Sequence, residues 1–209
     1  GIAMPAHQIE ELVEQLDAAG FLAGPGFERF YDARLREYRE APHRPLRDPD
    51  GYGAPADRLR EYLSNLVQDA ARGPNALPSG RGRLRGLVAP HLDYPRGAPS
   101  YGAAYAAALH AVEATDERPR RVVILGTNHF GRSRSVVATR QNFSTPWGVL
   151  PTDIDFLERL GAELSADLFP YELDHLHEHS VELHALWAAH LFGPETRLVP
   201  FLVPDPSGE

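Results

Sequence analysis

An alternation of strand-like and helix-like segments from residue 84 to residue 203 constrains the fold of this chain more than any other feature. The clearest strand is residues 121–125, a largely β-branched run that ends at Gly126 and is predicted to be buried on both faces. Weaker patterns predict further strands at 84–89, 135–139 and 197–203, and helices from Ser100, at 153–164 and at 180–191. Because alternating strands and helices form sheets with helices on their faces, we expect an α/β fold. Its sheet is predicted to be mainly parallel or mixed.

The part before residue 84 is organised differently. Residues 7–40 carry apolar residues at helical spacing and predict two helices, the first ending near Gly20. Residues 41–57 are rich in Pro, Gly and Asp and predict a linker or an ordered crossing loop, with a helix after Pro55 and a second loop at 72–82. We therefore expect a helical extension over residues 1–45, as at the tail of a preceding domain, and an α/β domain over 46–209.

The composition excludes several kinds of chemistry. All 21 basic residues are arginines, and the 209 residues include no cysteine. Schiff-base lysines, thiol nucleophiles, disulfides and cysteine-ligated zinc or iron–sulfur clusters are thereby excluded. The net charge of −8 disfavours a nucleic-acid partner. No apolar run is long enough for a membrane span and no export signal is recognisable, so we expect no membrane association and a cytoplasmic location.

Two histidines follow predicted strands. His91 and Asp93 come after the strand at 84–89, and His129 comes after the strand at 121–125. Open α/β sheets place ligands at the carboxyl ends of their strands, and imidazoles gathered there can bind a metal or transfer protons. For His91 alone, a backbone-bonded loop histidine is the simpler interpretation. For His129, with Asn128 before it, a functional role is as plausible as a structural one.

A third group of histidines lies between His175 and His184. The zinc-peptidase pattern fails here, because the position four residues after His177 is a valine. His179 and Glu182 are three residues apart and share one face near a helix start. A solvated acidic first turn would explain the glutamates, but it explains the number of imidazoles less well. No phosphate-binding glycine loop or Gly-x-Ser-x-Gly elbow is present.

Several ordered motifs resemble the Memo family, specifically the bacterial branch called AmmeMemoRadiSam system protein B. They are APHLDYPRGAPSY at 89–101, VILGTNHFG at 123–131, FSTPWGVLPTD at 143–153, EHSVE at 178–182 and LVPFLV at 198–203, and Tyr52 fits an early aromatic position. The resemblance covers about residues 50–205, and the helices before residue 45 resemble the extension of the bacterial branch.

The resemblance implies a fold related to class III extradiol dioxygenases and a metal site. His91 and His129 match the two strand-end histidines of that site, and His179 matches the histidine of its Glu-His-Ser motif. The implied metal is Fe(II) or copper, with zinc as a possible substitute. The branch name also implies a radical-SAM partner protein. The family continues past this C-terminus through a segment with a further ligand, so the resemblance implies that the α/β domain lacks its C-terminal part.

Two main functions remain open on this sequence. The first is a non-haem metal protein, an oxidase or dioxygenase, with His91, His129 and His179 as ligands. In that case His179, Asp93 and Glu182 would be the catalytic residues, the two carboxylates serving as a fourth ligand or a general base. The second is a non-catalytic protein that binds a peptide or a small molecule in the same cleft. A metal-dependent hydrolase is disfavoured, since no carboxylate-rich two-metal pattern occurs.

Overall fold

The computed structural model describes residues 5–48, 55–73, 84–115 and 118–204. Tertiary contacts divide the chain into two compact units, Gly1–Ala41 and Pro42–Glu209. Tyr52 and most of the predicted loop at 72–82 lie outside the described residues. None of the described helices is both long enough and apolar enough to cross a membrane.

The first unit consists of two helices, as predicted, α1 (Ala6–Ala18) and α2 (Pro25–Glu40). Gly20 ends α1 in a left-handed conformation with a φ of 76°. The amide of Gly20 donates to the carbonyl of Asp17 and the amide of Phe21 donates to that of Leu16. This is the Schellman arrangement, in which glycine adopts the positive φ at the lowest cost.

The second unit is an α/β structure, and the α/β prediction is confirmed. Its helices are α3 (Ala56–Arg72), α4 (Tyr94–Thr115), α5 (Ile154–Leu164) and α6 (Ser180–Phe192), with a short 3₁₀ helix at Glu172–Leu176. Its strands are β1 (Arg121–Asn128), β2 (Val137–Ala138), β3 (Phe143–Thr145), β4 (Gly148–Leu150) and β5 (Arg197–Pro204).

The main sheet is small and mixed. Its order is β1–β5–β2, with β5 parallel to β1 and antiparallel to β2. The pairing of β1 with β5 runs from Arg121 opposite Arg197 to Asn128 opposite Pro204. The strands β3 and β4 form a separate hairpin around Pro146 and Trp147, where the sequence predicts a turn.

Helix α6 lies at the centre of the packing. On one side its buried residues pack with α3 and α4 around Trp187, whose ring stacks on that of Tyr105 with the centroids 4.2 Å apart. On the other side α6 packs on β1, β5 and the hairpin. A third cluster joins α5 to β2 and β5. Most residues of α6 are apolar and buried, as expected for a helix that packs against other elements on several sides.

Three predictions about the strands and α4 are wrong. Residues 84–89 form no strand; Val88 is 97% exposed, and no described strand pairs with this segment. Strand β1 continues past Gly126 to Asn128. It is not buried on both faces, because Leu125 is 69% exposed, and among the described strands it lies at the edge of the sheet. Helix α4 begins at Tyr94 rather than at Ser100. Pro95 lies in its first turn, where a missing N–H breaks no helical hydrogen bond.

Buried histidines should make the second unit sensitive to acid. Burial lowers the pKa of His184 and of His190 to about 4, and that of His175 to about 3. Each ring is therefore neutral in the folded state at pH values where the unfolded chain binds a proton. Above about pH 6.5 these rings are neutral in both states and do not reduce the free energy of unfolding. As the pH falls from there towards 4, the unfolded chain takes up protons that the folded chain does not, and the free energy of unfolding decreases.

We therefore expect the free energy of unfolding, measured with urea, to decrease progressively between pH 7 and about pH 5. The variant His190→Phe removes one of these protonation sites and should show a shallower pH dependence than the unmodified chain. Equal slopes for the two proteins would contradict the assignment of His190 as a source of acid sensitivity.

Candidate metal centre

Three of the predicted site residues come together at one end of the sheet. His91, His129 and His179 each offer a ring nitrogen, and these atoms all lie within 4.8 Å of one another. The Nε2 atoms of His91 and His129 are 3.2 Å apart. The three rings lie in mutual contact, with centroids 5.0 to 5.8 Å apart. We call these three residues the histidine cluster.

Each histidine of the cluster comes from a different segment. His91 precedes α4, His129 directly follows β1, and His179 directly precedes α6. Gly126 makes the approach of α6 to β1 possible, because a Cβ atom there would lie 2.5 Å from Oγ of Ser180. The Ser180 hydroxyl then donates to the carbonyl of Thr127. The start of α6, and with it His179, is thus held against the end of β1.

The segment that carries His91 is attached through tyrosines of α4. The Tyr101 hydroxyl donates to the carbonyl of Leu92, and the Tyr94 hydroxyl donates to that of Leu183 in α6. These bonds connect the residue next to His91 with α4, and the start of α4 with α6. His91 is therefore held in place without belonging to a strand.

The carboxylate of Glu178 orients His129. It is almost completely buried, and both of its oxygens lie within 3.2 Å of Nδ1 of His129. One oxygen also accepts the backbone amide of His129, and the other accepts the amides of His179 and Ser180. A carboxylate only accepts hydrogen bonds, so Nδ1 of His129 carries the hydrogen. In the neutral ring Nε2 then presents its lone pair towards His91.

Opposing effects set the charge state of Glu178. Burial by itself would raise the pKa of this carboxyl group. The amides of Ser180 and His129 and the His129 ring outweigh that effect, so the pKa lies below its ordinary value. Glu178 is therefore ionised at neutral pH, as its role as acceptor at the start of α6 requires.

His179 is neutral at neutral pH. Burial lowers its pKa, and the neighbouring His129, Arg47 and His91 lower it further against the opposing charge of Glu178. Its Nδ1 lies 3.2 Å from the Glu178 carboxylate, but this buried atom has no partner in hydrogen-bonding geometry among the described residues. A neutral imidazole with an available nitrogen is the form that binds metals.

The other two predicted site residues lie outside the histidine cluster. The side chain of Asp93 is 70% exposed, and its carboxylate lies 3.6 Å from Arg96. Glu182 is buried and forms an ion pair with Arg44, which also donates to the carbonyls of His175 and Glu178. The helical spacing of His179 and Glu182 in the sequence therefore does not place the Glu182 carboxylate among the three ring nitrogens.

Two residues of this region, Glu178 and Arg44, carry no site role in the sequence interpretation. A carboxylate just before a helix start was available as a signal for Glu178, because such a group accepts the free amides of the first turn. For Arg44 the sequence offers no comparable signal. The carbonyls of His175 and Glu178 to which its side chain donates lie more than 130 residues further along the chain.

Histidines brought together at the end of an α/β sheet define a class of candidate metal-binding proteins. Comparison with known sequences then shows to which family this chain belongs. The Memo family, described as Memo-like protein, matches residues 50–209. The chain is 34% identical over its whole length to a MEMO1 family protein of Thermus thermophilus and 26% identical over 97% of its length to one of Aquifex aeolicus. This chain belongs to the Memo family.

The relatives are longer than the part that this chain matches. The matched residues make up 60% of the Thermus protein and 50% of the Aquifex protein. A MEMO1 family protein of Methanopyrus kandleri is 35% identical over 71% of this chain and 52% of its own length. This chain therefore spans about half to three fifths of the length of these relatives.

Replacing Glu178 with glutamine tests its role at the start of α6. The amide retains one acceptor oxygen but loses the negative charge and places an N–H group among donors. We expect Glu178→Gln to lower the free energy of unfolding by about 2 kcal/mol, measured with urea at pH 7. The change Glu158→Gln, at an exposed carboxylate of α5, is the matched control and should change stability little. Equal stability of the two variants would show that the buried carboxylate contributes nothing to the fold.

A double-mutant cycle tests the buried ion pair of Arg44 and Glu182. Removing one partner leaves the other charge buried and unpaired, so Arg44→Met and Glu182→Met should each cost about 3 kcal/mol or more. The double variant should be more stable than the sum of the two losses predicts, because neither charge is then left alone. Additive losses in urea unfolding would contradict a direct interaction.

Proposed function

We propose that this chain is a Memo-type metal-binding protein that holds one iron(II) or copper ion through His91, His129 and His179. One observation carries the proposal. The Nε2 lone pair of His129 is aimed at the ring of His91, because the buried carboxylate of Glu178 fixes the hydrogen on Nδ1. A carboxylate that orients a ligating histidine in this way is a common partner of metal sites.

The donor set suits a transition metal. Three imidazoles favour iron, copper or zinc over magnesium or calcium, which prefer oxygen ligands. No carboxylate close in sequence to the three histidines offers them an oxygen ligand among the described residues. Asp93 lies near Arg96, Glu182 pairs with Arg44, and Glu178 accepts hydrogen bonds from the amide and ring of His129. Zinc could replace iron or copper in such a site, so metal identity has to be measured under controlled loading.

The surroundings of the cluster support access by a small organic molecule. The side chain of His129 is 31% exposed and that of His179 is 21% exposed, so the cluster opens to solvent. Leu92 and Phe130, next to two of the histidines, are exposed apolar side chains. We propose that they contact an apolar part of a small-molecule or peptide substrate.

An oxidase or dioxygenase activity, on a fold related to class III extradiol dioxygenases, is the catalytic form of this proposal. A bound iron or copper ion would supply one-electron and oxygen chemistry. The residues of the chain position the metal ligands and the substrate. Glu178 keeps the proton on Nδ1 of His129, His179 remains neutral, and the apolar side chains beside the cluster orient the substrate.

Metal loading tests the proposal directly. The protein, reconstituted anaerobically with Fe(II) or Cu and freed of excess metal, should retain about one ion per chain by elemental analysis. His91→Ala, His129→Ala and His179→Ala should each lose most of that metal. The control His110→Ala, at an exposed histidine of α4 outside the cluster, should retain it.

The variant Glu178→Gln distinguishes the orientation of the His129 ring by Glu178 from the binding of the metal by the three imidazoles. It keeps all three imidazoles but weakens the control of the His129 ring, so metal affinity should fall about 10- to 100-fold rather than disappear. Metal retention unchanged in all three alanine variants would exclude the proposed site. Ligand binding that persists after chelation would instead favour a non-catalytic binding protein that uses the same cleft.

A further inference from the structure

Four buried aromatic side chains form a continuous cluster between α4 and α6. Tyr94, Tyr101 and Tyr105 belong to α4 and Trp187 belongs to α6, and each is at most 6% exposed. The ring of Tyr105 stacks on that of Trp187, with 8° between the planes and 4.2 Å between the centroids. Tyr94 and Tyr101 contact Trp187 at centroid distances of 6.3 and 6.1 Å. We call these four residues the aromatic cluster. The described residues already bury it, so it does not depend on what covers the outer surface.

The tyrosines of the aromatic cluster differ in the acceptors of their hydroxyl groups. Tyr94 and Tyr101 donate to backbone carbonyls. An amide carbonyl accepts a hydrogen bond, but it is too weak a base to take up the proton at neutral pH. The hydroxyl of Tyr105 instead lies 2.7 Å from Nδ1 of His184. This distance is within the range over which a side-chain base accepts a proton.

The protonation states of Tyr105 and His184 suit a proton transfer that follows oxidation. Burial lowers the pKa of His184 to about 4, so its ring is neutral at neutral pH. With its hydrogen on Nε2, the neutral ring accepts the phenol hydrogen at Nδ1. Burial raises the pKa of Tyr105, so the phenol does not ionise by itself. A phenol that has lost an electron is a far stronger acid, and a neutral imidazole then takes up its proton.

The indole of Trp187 has no comparable acceptor. Its Nε1 is buried and has no hydrogen-bond partner in the part of the chain that the structure describes. An oxidised Trp187 ring therefore has no base to which it can release its proton, whereas the stacked Tyr105 has one in His184. An oxidising equivalent on Trp187 is therefore expected to pass to Tyr105.

The composition of the chain directs oxidation towards aromatic rings. Cysteine and methionine sulfur atoms are common sites of oxidation in proteins. The 209 residues include no cysteine and one methionine, Met4, which lies outside the described residues. They include eight tyrosines and two tryptophans. Tyrosine and tryptophan are therefore the main oxidisable side chains of this sequence, and the aromatic cluster holds four of them.

We propose that Tyr105 and His184 form a redox-active pair, an internal one-electron donor that Trp187 connects to a strong one-electron oxidant. The oxidant takes one electron from the indole ring of Trp187. Tyr105 returns that electron to Trp187, and the phenol O–H bond breaks as its proton moves to Nδ1 of His184. The products are the oxidant reduced by one electron, a neutral tyrosyl radical and an imidazolium. An external one-electron reductant then restores the phenol, which recovers its proton from His184.

The aromatic cluster begins beside the histidine cluster. The hydroxyl of Tyr101 donates to the carbonyl of Leu92, the residue after His91. The identity of the oxidant in the cell rests on the proposed function, in which an iron or copper ion at the histidine cluster supplies one-electron chemistry. The pair itself consists only of side chains of this protein, so it can be tested without a metal ion.

A photochemical oxidant tests the pair in the metal-free protein. Chelator-treated protein is illuminated with a ruthenium tris-bipyridine photosensitiser and persulfate as electron acceptor, mixed with ascorbate and frozen. Ascorbate reduces radicals on exposed side chains. We expect an EPR signal of a tyrosyl radical that survives ascorbate, because Tyr105 is buried. Pulsed ENDOR spectra should show an exchangeable proton, absent in D₂O, between the tyrosyl oxygen and Nδ1 of His184.

Variants locate the radical. Tyr105→Phe should abolish the ascorbate-resistant tyrosyl signal. His184→Gln keeps a hydrogen-bond acceptor but removes the base, and it should lower the signal at least about tenfold, because a positioned base contributes about 10²–10⁴-fold to proton transfer. The matched controls are Tyr171→Phe and His110→Gln, at exposed residues outside the aromatic cluster. Both should retain the full signal. Thermal unfolding of each variant verifies that it is folded.

Several results would overturn the proposal. One is the absence of an ascorbate-resistant tyrosyl signal in the unmodified protein, and another is its persistence in Tyr105→Phe. A full signal in His184→Gln would show that the imidazole does not take the proton. Absence of the exchangeable proton in the unmodified protein would contradict the pair whichever variants fold. Because no metal ion is present, failure of the pair and failure of the proposed metal site are separate outcomes.

Discussion

The hydrogen bonds accepted by the buried carboxylate of Glu178 are the interaction on which the rest of the site depends. The carboxylate accepts the first amides of α6 and the backbone amide and ring of His129, so it joins the central helix to the end of β1. A buried charge of this kind is stable only when several donors surround it. The same bonds that stabilise the charge also orient the His129 ring, so the stability of the fold and the geometry of the histidine cluster have a common cause.

A second buried charge, that of Arg44, reinforces this arrangement. Arg44 connects the segment after residue 41 to Glu182 and to the carbonyls of His175 and Glu178. The start of α6 is therefore held by two ionised groups of opposite sign, both almost completely buried. Such groups are costly to desolvate, and breaking either set of partners leaves an unpaired charge. This constraint positions His179, which directly follows Glu178 and donates its backbone amide to the Glu178 carboxylate.

The predictable part of the structure is the part with strong local patterns. The two helices of the first unit, α5, α6, β5 and the turn at Pro146 and Trp147 all agree with their sequence patterns. The strand at 84–89 and the burial of β1 were predicted wrongly, because an apolar run does not reveal whether a neighbouring strand is present. For the candidate site, the motifs singled out three histidines that the structure brings together, whereas helical spacing did not reveal that Glu182 pairs with Arg44.

By itself, the sequence determined the α/β class, the absence of lysine and cysteine chemistry and the resemblance to the Memo family. It also identified His91, His129 and His179 as candidate metal ligands. Local periodicity and residue type suffice for such conclusions, because they depend on neighbours along the chain. Only the tertiary structure decided that the three imidazoles meet, that Glu178 orients one of them and that Glu182 is an ion-pair partner. These facts depend on contacts between residues far apart in the chain, and one sequence records no such distances.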